Sequence, residues 1–329
     1  MVKHISMNIR YWVTTFAFST IVTIALGQDI PIAQGKSSGR ILADSLFNSG
    51  DYIKALTVFQ ELVDTYPQDI YYNYALGVCI VNSYRKVDIA IPYLLKASIG
   101  DVSNMVYYYL AEANRKTYRF DQAIDYYRRF TINGGSKDIK TNEIEKYLSL
   151  CENGNSLLKY VYSPQIADKK RLSLADFFQY YSVIPKTGSL VSLPDNLKSD
   201  TDRKSKDNSV ILYPNAPKVD DYIYYSSYGK STINGKDIYR IKRLVDGYWS
   251  KPENLGDAIN TSEDEEYPYL APDGITLYFA SKGHYSMGGY DIYRSLFDLK
   301  SKKWSNPENL GFPFSSPYDD ILYIPDSKD

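Results

Sequence analysis

An eight-residue segment that occurs twice constrains this chain more than any other feature. Trp249-Ser250-Lys251-Pro252-Glu253-Asn254-Leu255-Gly256 returns as Trp304-Ser305-Asn306-Pro307-Glu308-Asn309-Leu310-Gly311, and Asp237-Ile238-Tyr239-Arg240 returns as Asp291-Ile292-Tyr293-Arg294. The runs from Tyr222 to Gly229 and from Leu277 to Gly283 also correspond, and their aromatic and β-branched residues fit a pleated, half-buried surface. Pro272-Asp273-Gly274 reads as a turn between strands. A sheet this small cannot bury its own faces, so it needs neighbours.

Short-stranded modules repeating at roughly 55 residues read as propeller blades. A degraded third copy lies upstream, where Leu193-Pro194-Asp195-Asn196-Leu197 matches Lys251 to Leu255. After Gly311 the register opens once more, in a strand expected over Asp320 to Ile324. Closed propellers carry about four to eight blades. The expectation is therefore an all-β propeller that is incomplete in this chain, over residues 163–329. It is either the front part of a longer protein or a ring closed by another element.

Residues 39–162 change period. Leu42, Leu46, Ala55, Phe59 and Leu62 follow helical spacing, broken by Gly50-Asp51-Tyr52 and closed by Pro67. The plan recurs through Leu76, Gly77, Ala90, Leu94 and Ala97, then through Leu110, Ala111, Phe120, Ala123, Tyr127 and Phe130. These residues resemble the tetratricopeptide repeat, three times over, with an extra residue and Pro92 in the second copy and a capping helix over Asn142 to Lys159. The expected fold class is thus α+β multidomain, an N-terminal α-solenoid followed by the propeller. The resemblance implies a partner-binding groove lined by first-helix residues: Arg40, Asp44 and Phe47, then Tyr74, Val78 and Asn82, then Tyr108, Glu112 and Arg115. The competing reading is that the tyrosines, 34 in the whole chain, fill the superhelix.

Lys3, Arg10 and the apolar run from Tyr11 to Leu26 read as a secretory signal over residues 1–27, with Ala25-Leu26-Gly27 as the cleavage site before Gln28 and a linker over 28–38. No Cys follows the run, so the expectation is a soluble exported chain without a lipoprotein anchor. Cys79 and Cys151 lie in helical patterns and read as buried thiols. A net charge of −1 without a basic block argues against nucleic acid.

Catalytic chemistry is scarce. Beyond the leader the one histidine is His284, and Gly283-His284-Tyr285-Ser286-Met287-Gly288-Gly289 is not a nucleophile elbow but reads as a flexible turn. No phosphate-cradling loop or multi-histidine zinc motif is present. The acidic run Glu263, Asp264, Glu265 and Glu266 lacks a calcium-loop spacing and reads as the solvated start of a blade. The charged stretch 195–208 reads as a solvated loop. No cofactor and no metal are expected.

The Asn234-Gly235-Lys236-Asp237-Ile238-Tyr239-Arg240 segment, its counterpart ending in Gly289-Tyr290-Asp291-Ile292-Tyr293, and the two Pro-Glu-Asn-Leu-Gly turns resemble a Bacteroidota periplasmic family. In that family tetratricopeptide repeats precede TolB-like blades, and its best-known member is the PorE-type subunit of the type IX secretion system. The resemblance implies a non-enzymatic periplasmic scaffold, associated with the outer membrane, whose partners are envelope proteins such as outer-membrane β-barrels or secretion-system subunits. Peptidoglycan would be reached only through the OmpA-like domain that such proteins carry and this chain lacks. The alternative is a ligand-sensing propeller that binds a glycan or peptide.

Overall fold

The structure, a computed structural model, describes residues 35–83, 86–158, 188–205, 209–215, 217–229 and 235–325, together with Leu172. The expected leader, residues 28–34 of the linker and most of 163–187 lie outside them. The chain forms two compact units that part at Cys151 and Glu152.

The first unit is helical. Helices α1 (Gly35–Asn48) and α2 (Tyr52–Thr65), α3 (Ile70–Asn82) and α4 (Ala90–Ala97), and α5 (Met105–Lys116) and α6 (Phe120–Ile132) form successive pairs before α7 (Thr141–Leu157). Caps set the breaks. Asp51 accepts from the Lys54 amide at 3.3 Å to start α2, and Asp69 accepts from the Tyr72 amide at 3.0 Å to start α3. Ala55, Ala90 and Ala123 are fully buried. Gly77 brings α3 against α4 closely enough that a Cβ there would lie 2.5 Å from Leu94 Cγ. In the second pair a 3₁₀ turn (Val87–Ile89) precedes α4, so Pro92 falls in the first turn, where its missing N–H costs little.

The second unit is sheet-rich. A hairpin joins β1 (Ser189–Ser192) to β2 (Val210–Tyr213). A three-stranded sheet holds β3 (Tyr222–Ser227), β4 (Asp237–Lys242) and β5 (Glu253–Asn254) in order. A larger sheet runs β10 (Glu308–Asn309), β8 (Asp291–Asp298), β7 (Thr276–Ser281), β6 (Glu265–Leu270), with β9 (Lys303–Trp304) also paired to β8. Pro268 cannot donate to a ladder, and the register of edge strand β6 slips beside it between Glu266 and Tyr269.

Alternation along β3 shows how these sheets stack. Ile223 and Tyr225 pack with Leu193, Ile211 and Ile241, whereas Tyr224 packs with Ile238, Ile259, Leu277, Phe279 and Tyr293. The three-stranded sheet therefore has an apolar neighbour on each face. The other side of the larger sheet does the same: Ala280 and Ile292 share a cluster with Val210 and Ile321.

Three expectations are corrected here. The stretch 195–208 is not simply a loop: a short helix, α8 (Asp200–Ser205), carries Asp202 inward to 3 % exposure, because that carboxylate meets Ser227 and the Tyr228 amide. The acidic run is solvated only at its start: Glu263 is exposed, but Glu265 and Glu266 are buried and Lys236 neutralises Glu266. Residues 321–325 form no strand; Ile321 and Leu322 are buried, and Tyr323 packs 4.9 Å from Tyr278.

Candidate functional site

The first-helix positions expected to line a groove are largely engaged with one another or with neighbouring side chains. Arg40 pairs with Asp44 at 3.5 Å and lies 5.2 Å over the Tyr71 ring, while the Tyr71 hydroxyl donates to Asp44 at 2.6 Å. Phe47 packs edge-on against Tyr52 and Phe59. Tyr74 is 9 % exposed and stands against Tyr109, and Val78 is fully buried. Asn82 donates back to the Val78 carbonyl at 2.9 Å. Arg40 is the most accessible of the set.

Glu112 and Arg115 lie in the interior, each 7 % exposed. Arg115 Nε and Nη2 donate to Oε1 and Oε2 of Glu112 at 3.1 and 3.0 Å, Lys116 stands 3.6 Å away, and the Tyr127 hydroxyl donates to the same carboxylate. Tyr147 of α7 stacks on Tyr127 and carries the Arg115 guanidinium 5.4 Å over its ring. Tyr108 joins this seam against Tyr127, Tyr147 and Phe130. Burial alone would push the Glu112 carboxyl up; Arg115, Lys116 and the hydrogen bonds outweigh it and hold it at about 2. The tyrosines here fill the superhelix. Tyr71, Tyr127 and Tyr147 were not among the expected site residues; their signal was only a tyrosine recurring beside helical apolar positions.

In the sheet-rich unit the repeated signature is a set of matched contacts. Arg240 holds Glu253 through two bonds of 2.9 and 2.8 Å, and Arg294 holds Glu308 at 2.6 Å. Asn254 donates to Asp237 at 2.7 Å and Asn309 to Asp291 at 2.8 Å. Each Asn oxygen accepts from the glycine amide two residues on, Gly256 at 2.7 Å and Gly311 at 2.8 Å. Those glycines sit at φ 81° and 66°, a conformation that glycine adopts without a Cβ penalty. Asp, Arg, Glu, Asn and Gly thus recur because each closes the same tie, β4 to β5 in one sheet and β8 to β10 in the other, and the turn that follows.

His284 is structural. Its Nε2 lies 2.8 Å from the Ile259 carbonyl, its ring packs against Phe279 and Tyr293, and burial lowers its pKa. The segment around it is not a loose turn: Ser286 and Met287 are buried, and the Met287 amide donates to Asp291 at 2.8 Å. Cys79 and Cys151 are free and buried, and burial pushes the Cys79 thiol up to about 12, which leaves it unreactive. Among the described residues no group of three His, Cys, Asp or Glu could hold a metal ion, and no helix is long and apolar enough to cross a membrane.

A cleft of about 230 Å³ opens between the two sheets, lined by Arg240, Glu253, Leu255, Phe297, Lys303 and Trp304. Arg240 lies between the Tyr222 and Phe297 rings at 4.7 and 5.8 Å.

The tetratricopeptide repeat family matches the chain over residues 41–69 and 105–133, which are the first and third helix pairs. The second pair, with its 3₁₀ turn and Pro92, is not matched. No curated protein matches the chain.

Proposed function

We propose that this chain is a non-enzymatic scaffold of the cell envelope that binds other proteins. The observation that carries the reading is the pair of tetratricopeptide matches, a repeat that mediates protein–protein interaction, placed ahead of stacked, repeated sheets. In this reading the stacked sheets are blades of a TolB-like propeller, residues 1–27 direct export to the periplasm, and the partners are outer-membrane or secretion-system subunits, as for a PorE-type component of type IX secretion. The exposed surface of the helical unit around Arg40 and the propeller faces are the two contact surfaces.

The alternative, a sensor of a glycan or peptide, draws on the aromatic and cationic walls of the cleft at Phe297, Trp304 and Lys303. Affinity capture of the tagged chain from detergent-solubilised envelopes separates the two. The scaffold predicts stoichiometric membrane-protein partners; a co-purifying small ligand with no protein partner would replace it with the sensor.

A further inference from the structure

The hairpins that end the two repeated modules use matching positions differently. Arg243 is the ladder partner of Trp249 in the first, and Phe297 that of Trp304 in the second. In the first hairpin the Arg243 guanidinium lies 5.2 Å over the Trp249 ring, so the module's own cation covers its tryptophan. In the second, Phe297 holds the place of that cation. Its ring lies 5.0 Å from Trp304, and both rings line the cleft between the sheets. Two residues before each tryptophan stand Gly247, at φ 83°, and Lys302, at φ 58°. Glycine adopts that conformation freely and other residues rarely do. The turn alone therefore favours glycine at 302, yet the chain carries a lysine there that lines the cleft. Lys303 follows it, where the first hairpin has Tyr248.

The charges of the cleft do not cancel. Arg240 is taken up by Glu253 through two bonds of 2.9 and 2.8 Å. Lys302 and Lys303 are exposed, and among the described residues neither is in an ion pair. Asp298, at the base of the same hairpin, feels the charge of Lys302, but its oxygens accept from the Lys300 amide and the Ser301 hydroxyl, each at 2.8 Å. Asp257 is the remaining acid of the lining, which leaves two cations against one carboxylate.

We propose that this cleft takes an extended acidic segment of a partner protein, with a carboxylate against Lys302 and Lys303 and the adjoining apolar side chain on Trp304 and Phe297. The proposal rests on the protein-binding reading above and names the chemistry of the partner. A volume of about 230 Å³ holds one or two side chains and is smaller than ordinary small-molecule pockets. Among the described residues β5, which contributes Glu253 to the lining, is the edge of its sheet, and a sheet edge offers an extended backbone a ladder to join. Exposed lysines attract through charge that salt screens, and the rings supply contact area.

The probe is the capped peptide acetyl-Glu-Phe-Glu-amide, titrated into the full chain while the Trp304 indole N–H resonance is followed. A saturable shift is expected, weaker in high salt. Acetyl-Gln-Phe-Gln-amide should bind about fivefold less tightly, and the Lys302→Gly variant should lose a similar factor for the acidic peptide. Glycine suits the backbone at 302, so the thermal midpoint of Lys302→Gly should hold or rise while affinity falls. No saturable shift, equal binding of the two peptides, or full affinity in Lys302→Gly would overturn the proposal. Glucuronate is the glycan arm: a Trp304 shift with glucuronate and none with the acidic peptide would also overturn it. Recovery of membrane-protein partners by affinity capture after such a failure would reject the cleft and leave the scaffold reading standing.

Discussion

Arg240 grips Glu253 with both arms of its guanidinium, between the rings of Tyr222 and Phe297, whereas its repeat counterpart Arg294 reaches Glu308 with one bond and is 42 % exposed. One sequence motif thus does different work in two modules. The Arg240 side chain is 16 % exposed and joins the two sheets through Phe297. Lysine cannot reproduce a bidentate, stacked contact. Arg240→Lys should cost about 1.5–3 kcal/mol in chemical unfolding, and Arg294→Lys less than about 1 kcal/mol. Equal losses would show that Arg240 does not staple the sheets.

Asn309 satisfies four groups at once: it donates to Asp291 and to the Tyr285 carbonyl, and accepts from Gly311 and Ser315. Aspartate at that position keeps the size and removes both donors, leaving a carboxylate against buried Asp291. Burial already pushes the Asp291 carboxyl up to about 7. Asn309→Asp should therefore destabilise the unit by about 1–3 kcal/mol at pH 8, and by less at pH 5, where these carboxyls take up protons. Thermal unfolding at the two pH values reads the difference; a loss that does not depend on pH would place the cost elsewhere.

Gly77 faces Leu94 with no room for a methyl group. Gly77→Ala gains helix propensity but overpacks the α3–α4 contact, and overpacking typically costs about 1–3 kcal/mol. Adding Leu94→Ala should recover part of that loss in a double-mutant cycle. A stabilised Gly77→Ala would mean that the helices are not in contact there.

Glu112 makes the helical unit sensitive to acid. Its folded value is held near 2, below its unfolded value, so its contribution is complete above the ordinary carboxylate range and is lost as pH falls toward 2. Acid should weaken the helical unit through this group, and Glu112→Gln should flatten that part of the profile. Arg115→Ala leaves the buried carboxylate with Lys116, 3.6 Å away, as its counter-charge and should cost about 3 kcal/mol at pH 7. Circular dichroism at 222 nm follows both.

Much of the fold was legible in the sequence. The segment Trp-Ser-x-Pro-Glu-Asn-Leu-Gly could be read because each of its polar residues closes a contact within its own module, so the repeat survives as a repeat. The helix pairs were legible because Ala55, Gly77, Ala90 and Ala123 are small where helices touch. Asp202 was hidden in a charged stretch because its partner Ser227 lies on a distant strand. Glu112 and Arg115 looked like groove residues because their spacing on α5 is the same whether that face is open or covered; Tyr147, from a later helix, covers it.

A photo-crosslinking residue in place of Arg40, the most accessible of the first-helix positions, tests the binding role of the helical unit in living cells. The expected result is a discrete adduct with an envelope protein, absent when the crosslinker replaces buried Leu110. No adduct from Arg40, or the same adduct from Leu110, would contradict a protein-binding role for these repeats.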